Sequence, residues 1–214
     1  MSLTDVVRKH ELRTAGAVAD SASAFVLLLH GRGATAESML PLGKMVGLDG
    51  FCHLAPQAEG FTWYPQSFMA PESANEPYLS ASLRRIAMII SDLLAAGVEP
   101  ERLAIVGFSQ GACLAAETVL RNPRPYGFLG ILSGGAIGPP GTVRNYSGSL
   151  VGVHAFLGCA DRDPHIPLTR VQETTGLLRD MGAEVSERIY PGSAHGVNDD
   201  ELLRLRAGVA ALSA

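Results

Sequence analysis

Candidate strands and helices alternate along this 214-residue chain, and four of the five candidate strands are continuous apolar runs. Glycine and proline stop signals fall between the elements. Together these observations predict an α/β fold, a mostly parallel central sheet with helices on both faces and right-handed crossovers.

The runs at 25–29 (Phe-Val-Leu-Leu-Leu), 103–106 (Leu-Ala-Ile-Val), 128–132 (Phe-Leu-Gly-Ile-Leu) and 150–157 (Leu-Val-Gly-Val-His-Ala-Phe-Leu) read as buried strands. Residues 184–190 alternate in polarity, as an edge strand does. Over 76–96, Leu79, Leu83, Ile86, Ile90 and Leu93 recur at spacings of three and four, which predicts an amphipathic helix ended by Gly97. Residues 112–120 are short and apolar almost all round, so that helix is expected to be buried, and Asn122-Pro123 stops it. A third helix is expected over 168–181, closed by Gly182, and a fourth over 199–211. The Gly/Pro-rich stretch 132–150 reads as an irregular surface loop. With 47% hydrophobic residues, the length suits one core, so residues 1–214 are expected to form a single domain.

A net charge of −4 and no basic run beyond Arg84-Arg85 argue against a nucleic-acid partner. No apolar run reaches the ~20 residues of a membrane span. The start lacks a signal-peptide layout. Cys52, Cys113 and Cys159 are odd in number and have no CxxC spacing, which favours free thiols. The expectation is a cytoplasmic protein.

Chemistry enters at Gly107-Phe108-Ser109-Gln110-Gly111. This G-x-S-x-G directly follows a candidate strand and opens a candidate helix, the setting of a nucleophile elbow in an α/β-hydrolase fold. Ser109 then stands at a helix N-terminus, where developing negative charge is stabilised. A serine needs a base to become nucleophilic, and in this fold an acid and then a histidine follow it in sequence. Of His154, His165 and His195, the last lies after the final strand, in Pro191-Gly192-Ser193-Ala194-His195-Gly196, and is the expected base. His154 reads as a core-facing strand residue. The acid is expected after the strand at 150–157, where Asp161 and Asp163 compete. Asp161, three residues past Gly158, is the expected member, and Asp163 is the alternative. The loop looks two residues longer than usual, and an insertion is easier beyond the strand end than at it.

Leu29-His30-Gly31-Arg32-Gly33 follows the first long strand. Its glycines let the backbone turn inward, so the N–H groups of Arg32 and Gln110 are the expected oxyanion hole. His30 reads as a structural residue that holds this loop. The Arg32 side chain is a second candidate contact, for a substrate carboxylate.

These residues resemble the phospholipase/carboxylesterase family, which includes acyl-protein thioesterases. The resemblance runs from about Phe25 to the C-terminus. It rests on Leu-His-Gly-Arg-Gly at 29–33, Ala55-Pro56, Trp63-Tyr64, Gly-Phe-Ser-Gln-Gly-Ala at 107–112, the Asp161/Asp163 loop and the stretch 192–195. It implies a small, lidless α/β-hydrolase, a serine carboxylesterase of short- to medium-chain esters or thioesters. Some members are lysophospholipases or thioesterases, which is the alternative activity, and a homodimer is an option. Ala34, where many members carry an acid, and Phe61-Thr62-Trp63-Tyr64-Pro65 point to a bacterial-type subgroup.

The stretch 132–150 is too short for a lid, so an open cleft for a small-molecule ester is expected. Trp63, Tyr64, Phe68 and Met69 are candidates to line an apolar acyl pocket, with Phe108 and His165 flanking the chemistry. Serine at the elbow argues against a dienelactone hydrolase, which carries cysteine there, and a haloalkane dehalogenase, which carries aspartate. A silent ligand-binding relative is the reading from another class, but all three triad residue types are present. The mechanism needs no cofactor and no metal.

Overall fold

The structure, a computed structural model, describes residues 1–213. The chain opens with α1 (Leu3–Lys9), β1 (Arg13–Gly16), β2 (Ala24–Leu29), α2 (Ala36–Val46) and β3 (Phe51–Ala55). It continues with α3 (Tyr78–Ala95), β4 (Leu103–Phe108), α4 (Gln110–Arg121) and β5 (Phe128–Leu132). It closes with β6 (His154–Ala160), α5 (Leu168–Asp180), β7 (Glu184–Tyr190) and α6 (Asp199–Ala210). The strands form one seven-stranded sheet in the order β1-β3-β2-β4-β5-β6-β7. Only β1 runs antiparallel to its neighbour.

Both faces are covered, and this is why the inner strands are apolar without alternation. Leu27, Leu29, Ile105 and Leu129 meet one set of helices through Val6, Ile86, Leu114 and Val171. Val26, Leu28, Ala104 and Val106 meet the other through Met39, Val46, Leu205 and Val209. The helix α4 lies within the first core and is buried from Gln110 to Leu120, as expected of an all-round apolar stretch.

Four elements went unseen in the sequence: α1, β1, α2 and β3. The α2 pattern is broken by Pro41 and by Gly43. That glycine is there for a packing reason. A Cβ at Gly43 would crowd Leu28 and the His53 ring, and one at Gly47 would overlap that ring. The helix therefore lies close over β3 with His53 buried beneath it.

Two expectations need correction. The strand expected at 150–157 is β6, which begins at His154 and runs on to Ala160. Leu150 and Val151 belong to the turn before it, and Gly152 sits there at φ 87. His154 is exposed rather than core-facing, and its Nδ1 lies 3.3 Å from the Glu184 carboxylate. The stretch 132–150 is irregular, but residues 133–138 are buried rather than on the surface. Their main chain is satisfied by side chains of α4 and α5. Thr174 Oγ1 accepts from Ala136 N, Glu117 accepts from Ile137 N, and Arg170 donates to Ala136 O and Gly138 O. No lid is inserted there.

His30 and His53 are both buried, and burial lowers the pKa of each from the ordinary value. Folding then favours the neutral rings. Their contribution is complete above the unfolded-state pKa near 6.5 and is lost as pH falls below it. Thermal melts followed by circular dichroism should give a Tm several degrees lower at about pH 5.5 than at about pH 7.5. Equal Tm values would contradict the neutral, buried state of these rings.

Candidate active site

Ser109 sits between β4 and α4 with φ 55 and ψ −119. A non-glycine residue reaches this region at a cost of about 1–3 kcal/mol, which packing must hold in place. The packing is visible on both sides. A Cβ at Gly107 would overlap the Gly111 carbonyl, and one at Gly111 would overlap the carbonyls of Leu29 and His30. The glycines let α4 press onto the ends of β2 and β4. Ser109 N donates to Leu132 O at 2.9 Å and Cys113 N donates to Ser109 O at 3.0 Å, which closes the turn.

His195 lies in the loop between β7 and α6 and reaches back to this turn. Its Nε2 is 2.9 Å from Ser109 Oγ, and its Nδ1 is 2.7 Å from Asp163 Oδ2. A carboxylate only accepts, so Nδ1 carries the proton and Nε2 is free to accept from the serine hydroxyl. Asp163 Oδ1 accepts from the N–H groups of His165 at 2.8 Å and Ile166 at 3.0 Å. Burial alone would raise the Asp163 carboxyl. The hydrogen bonds from His195, His165 and Ile166 outweigh it and hold the group below the ordinary carboxylate value.

The structure thus brings Asp163, and not Asp161, to His195. Because β6 runs to Ala160, Asp161 is still in strand register, donating from N to Tyr190 O at 2.8 Å. Its Oδ1 accepts from Gly192 N at 2.8 Å, so it braces the base of the His195 loop. The chain then turns, with Asp163 N donating to Ala160 O, and the carboxyl of Asp163 folds back over the strand end.

The loop after β2 is fixed by a buried ring. His30 Nδ1 lies 2.8 Å from Gly31 O, and Ala58 N donates to Nε2 at 3.0 Å, so the neutral ring carries its proton on Nδ1. Trp63 Nε1 donates to His30 O at 2.8 Å, and the two rings are 4.9 Å apart. Next in line, the Arg32 guanidinium donates to Pro65 O at 2.7 Å and Gln66 O at 2.6 Å. Gln110, as the first residue of α4, has an N–H without a helical acceptor. Its side chain holds the same segment two residues earlier: Oε1 accepts from Trp63 N at 3.0 Å, and Nε2 donates to Tyr64 O at 2.8 Å.

A cleft of about 520 Å³ opens beside Ser109 and His195. Tyr64, Phe108 and His165 line it, as does Phe68. Phe108 and His165 both contact the His195 ring, at 5.0 and 4.7 Å between centroids. Trp63 does not line this cleft, contrary to expectation. It is buried behind it, committed to His30. Met69 is not among the lining residues either and packs against the core. Cys113 and Ile166 line the cleft and were not singled out from sequence. Cys113 is one helical turn past Ser109, a spacing that could have marked it.

A seven-stranded sheet in this order, with a serine on the strained turn after its central strand, is the α/β-hydrolase fold. The chain belongs to the Phospholipase/Carboxylesterase family, whose model matches residues 15–212. A solved phospholipase/carboxylesterase from Dyadobacter fermentans superposes with a TM-score of 0.89. It is 38% identical, over 93% of this chain and 95% of that one. Acyl-protein thioesterase 1 of Saccharomyces cerevisiae is 32% identical over 124 residues, which span 56% of this chain and 54% of the thioesterase. A probable carboxylesterase, SOBER1-like, of Arabidopsis thaliana is 24% identical over 97% of this chain and 84% of its own length. No helix among the described residues is long and apolar enough to cross a membrane.

Replacing Gln110 by Met removes the partner of Trp63 N and one of the two donors to Tyr64 O, which keeps Thr62 Oγ1 at 3.0 Å. At about 1–3 kcal/mol for the buried N–H left unpaired, urea denaturation should register a loss of about 1–3 kcal/mol. A loss below about 0.5 kcal/mol would mean the side chain is not what holds residues 62–64.

Proposed function

We propose that this protein is a serine carboxylesterase that hydrolyses short- to medium-chain carboxylic esters or thioesters through an acyl-enzyme. The observation that carries the reading is the unbroken hydrogen-bonded chain from Ser109 Oγ through His195 to Asp163, at 2.9 and 2.7 Å. Family membership supports the reaction class. The likeness to a thioesterase, over about half of that protein's length, makes thioesters a reasonable part of the range.

In this mechanism His195 Nε2 takes the proton as Ser109 Oγ attacks the acyl carbon. The N–H groups of Arg32 and Gln110 receive the oxyanion. Asp163 fixes the His195 tautomer and stabilises the imidazolium that forms. His195 then protonates the leaving alcohol or thiol, and water repeats the sequence on the acyl-enzyme. The residues themselves supply every proton transfer. Three buried thiols, none in a disulfide, suit a reducing compartment such as the cytoplasm.

A fluorophosphonate probe should add once to the wild-type protein and not at all to Ser109→Ala, read by intact mass. Absence of both the adduct and p-nitrophenyl ester turnover would bring a ligand-binding role forward. Asp163→Asn should lower kcat by about 10⁴, as loss of the correct histidine tautomer does in serine proteases. Asp161→Asn, which weakens a loop contact, should stay within about tenfold of wild type. The reverse order would return the acid's role to Asp161.

A further inference from the structure

The cleft beside Ser109 is electrically one-sided. Among the described residues, Arg32 is the only permanently charged one lining it, and no aspartate or glutamate does. Its guanidinium is held in place by the carbonyls of Pro65 and Gln66. Carbonyls orient a guanidinium without neutralising it, and among the described residues Arg32 makes no ion pair. The acid nearest the chemistry, Asp163, is buried behind His195 with both oxygens already bonded.

Tyr64 stands next to Arg32, whose guanidinium carbon lies 6.0 Å from the centre of the ring. This tyrosine is 1% exposed, and its hydroxyl has no hydrogen-bond partner among the described residues. The neighbouring Cys113 thiol is only a weak partner. That hydroxyl is itself buried, on the side of Cys113 and Glu117, so Tyr64 offers the cleft its ring and Arg32 supplies the charge on this wall.

The contacts sort the cleft into two sides. His195 touches Phe108 and His165, so the leaving group it must protonate belongs there. Arg32 touches Tyr64, Pro65 and Gln66, which leaves this wall to the acyl part. Resting on the esterase reading above, we propose that the cleft selects esters whose acyl part carries a carboxylate, with Arg32 supplying the charge that receives it. A planar guanidinium matches a carboxylate in geometry as well as in sign. The net charge of −4 acts on such a substrate at long range, whereas Arg32 acts on contact.

The test compares mono-p-nitrophenyl glutarate with p-nitrophenyl 5-methylhexanoate, in which an isopropyl group replaces the carboxylate. Rates with Ser109→Ala are subtracted as background. The expected result is a kcat/KM at least about tenfold higher for the anionic ester, a ratio that shrinks in about 1 M NaCl. Arg32→Gln should bring the ratio close to one, and Arg32→Lys should restore part of it. A wild-type ratio at or below one, or one that Arg32→Gln and salt leave intact, overturns the proposal while the esterase reading stands. If neither ester is cleaved faster than by Ser109→Ala, the esterase reading falls, and this inference with it.

Discussion

The site depends on how closely the start of α4 approaches the ends of β2 and β4. Gly107 and Gly111 permit that approach, because a side chain at either position would occupy space already taken by backbone carbonyls. Once the helix sits there, the chain can join β4 to α4 only through a residue with positive φ, and that residue is Ser109. The strain is local, and the surrounding core sustains it. It lifts Oγ off the sheet edge to where His195 can reach it. It also leaves the first N–H of α4 unbonded beside that oxygen.

Around this turn the wall of the cleft is built largely from buried polar contacts. His30, Trp63 and Gln110 satisfy one another's backbone neighbours, and so position the 62–66 segment that Arg32 then grips. A second network ties residues 136–146 to α4 and α5. Arg170 and Arg144 are each nearly buried and share the Glu173 carboxylate, and Glu117 accepts from Tyr146 and Arg121. Ions of this kind are tolerated in a core only when paired and hydrogen-bonded. Through Gly138 N, which donates to Phe68 O, this network also steadies one wall of the cleft.

Without an inserted lid, the cleft is shaped by its walls alone. Apolar residues give it a body, and Arg32 gives it charge of one sign. This differs from the plain acyl pocket expected from the aromatic cluster at 63–69. Trp63 turned out to support the loop after β2, and Tyr64 was the ring that lined the cleft. Aromatic composition alone does not tell a ring that lines a cavity from one that backs it.

Local patterns determined much of this protein. Apolar runs bounded by glycine and proline placed the central strands, and helical spacing placed α3, α5 and α6. The tight sequence Gly-Phe-Ser-Gln-Gly identified the elbow, because a strand–turn–helix this close admits few residues. Around β2, the elements α1, β1, α2 and β3 were harder to see: α1 and β1 are short, and α2 carries a proline and a glycine whose fit is to His53. What only the tertiary structure decided was which polar groups meet. Asp161 and Asp163 are equivalent as residue types and lie two positions apart. The choice between them follows from how far β6 continues in register with β7, a pairing between distant segments that leaves no mark in the loop itself. The same holds for Arg32, whose charge meets only carbonyls and stays exposed, a property of packing and not of sequence.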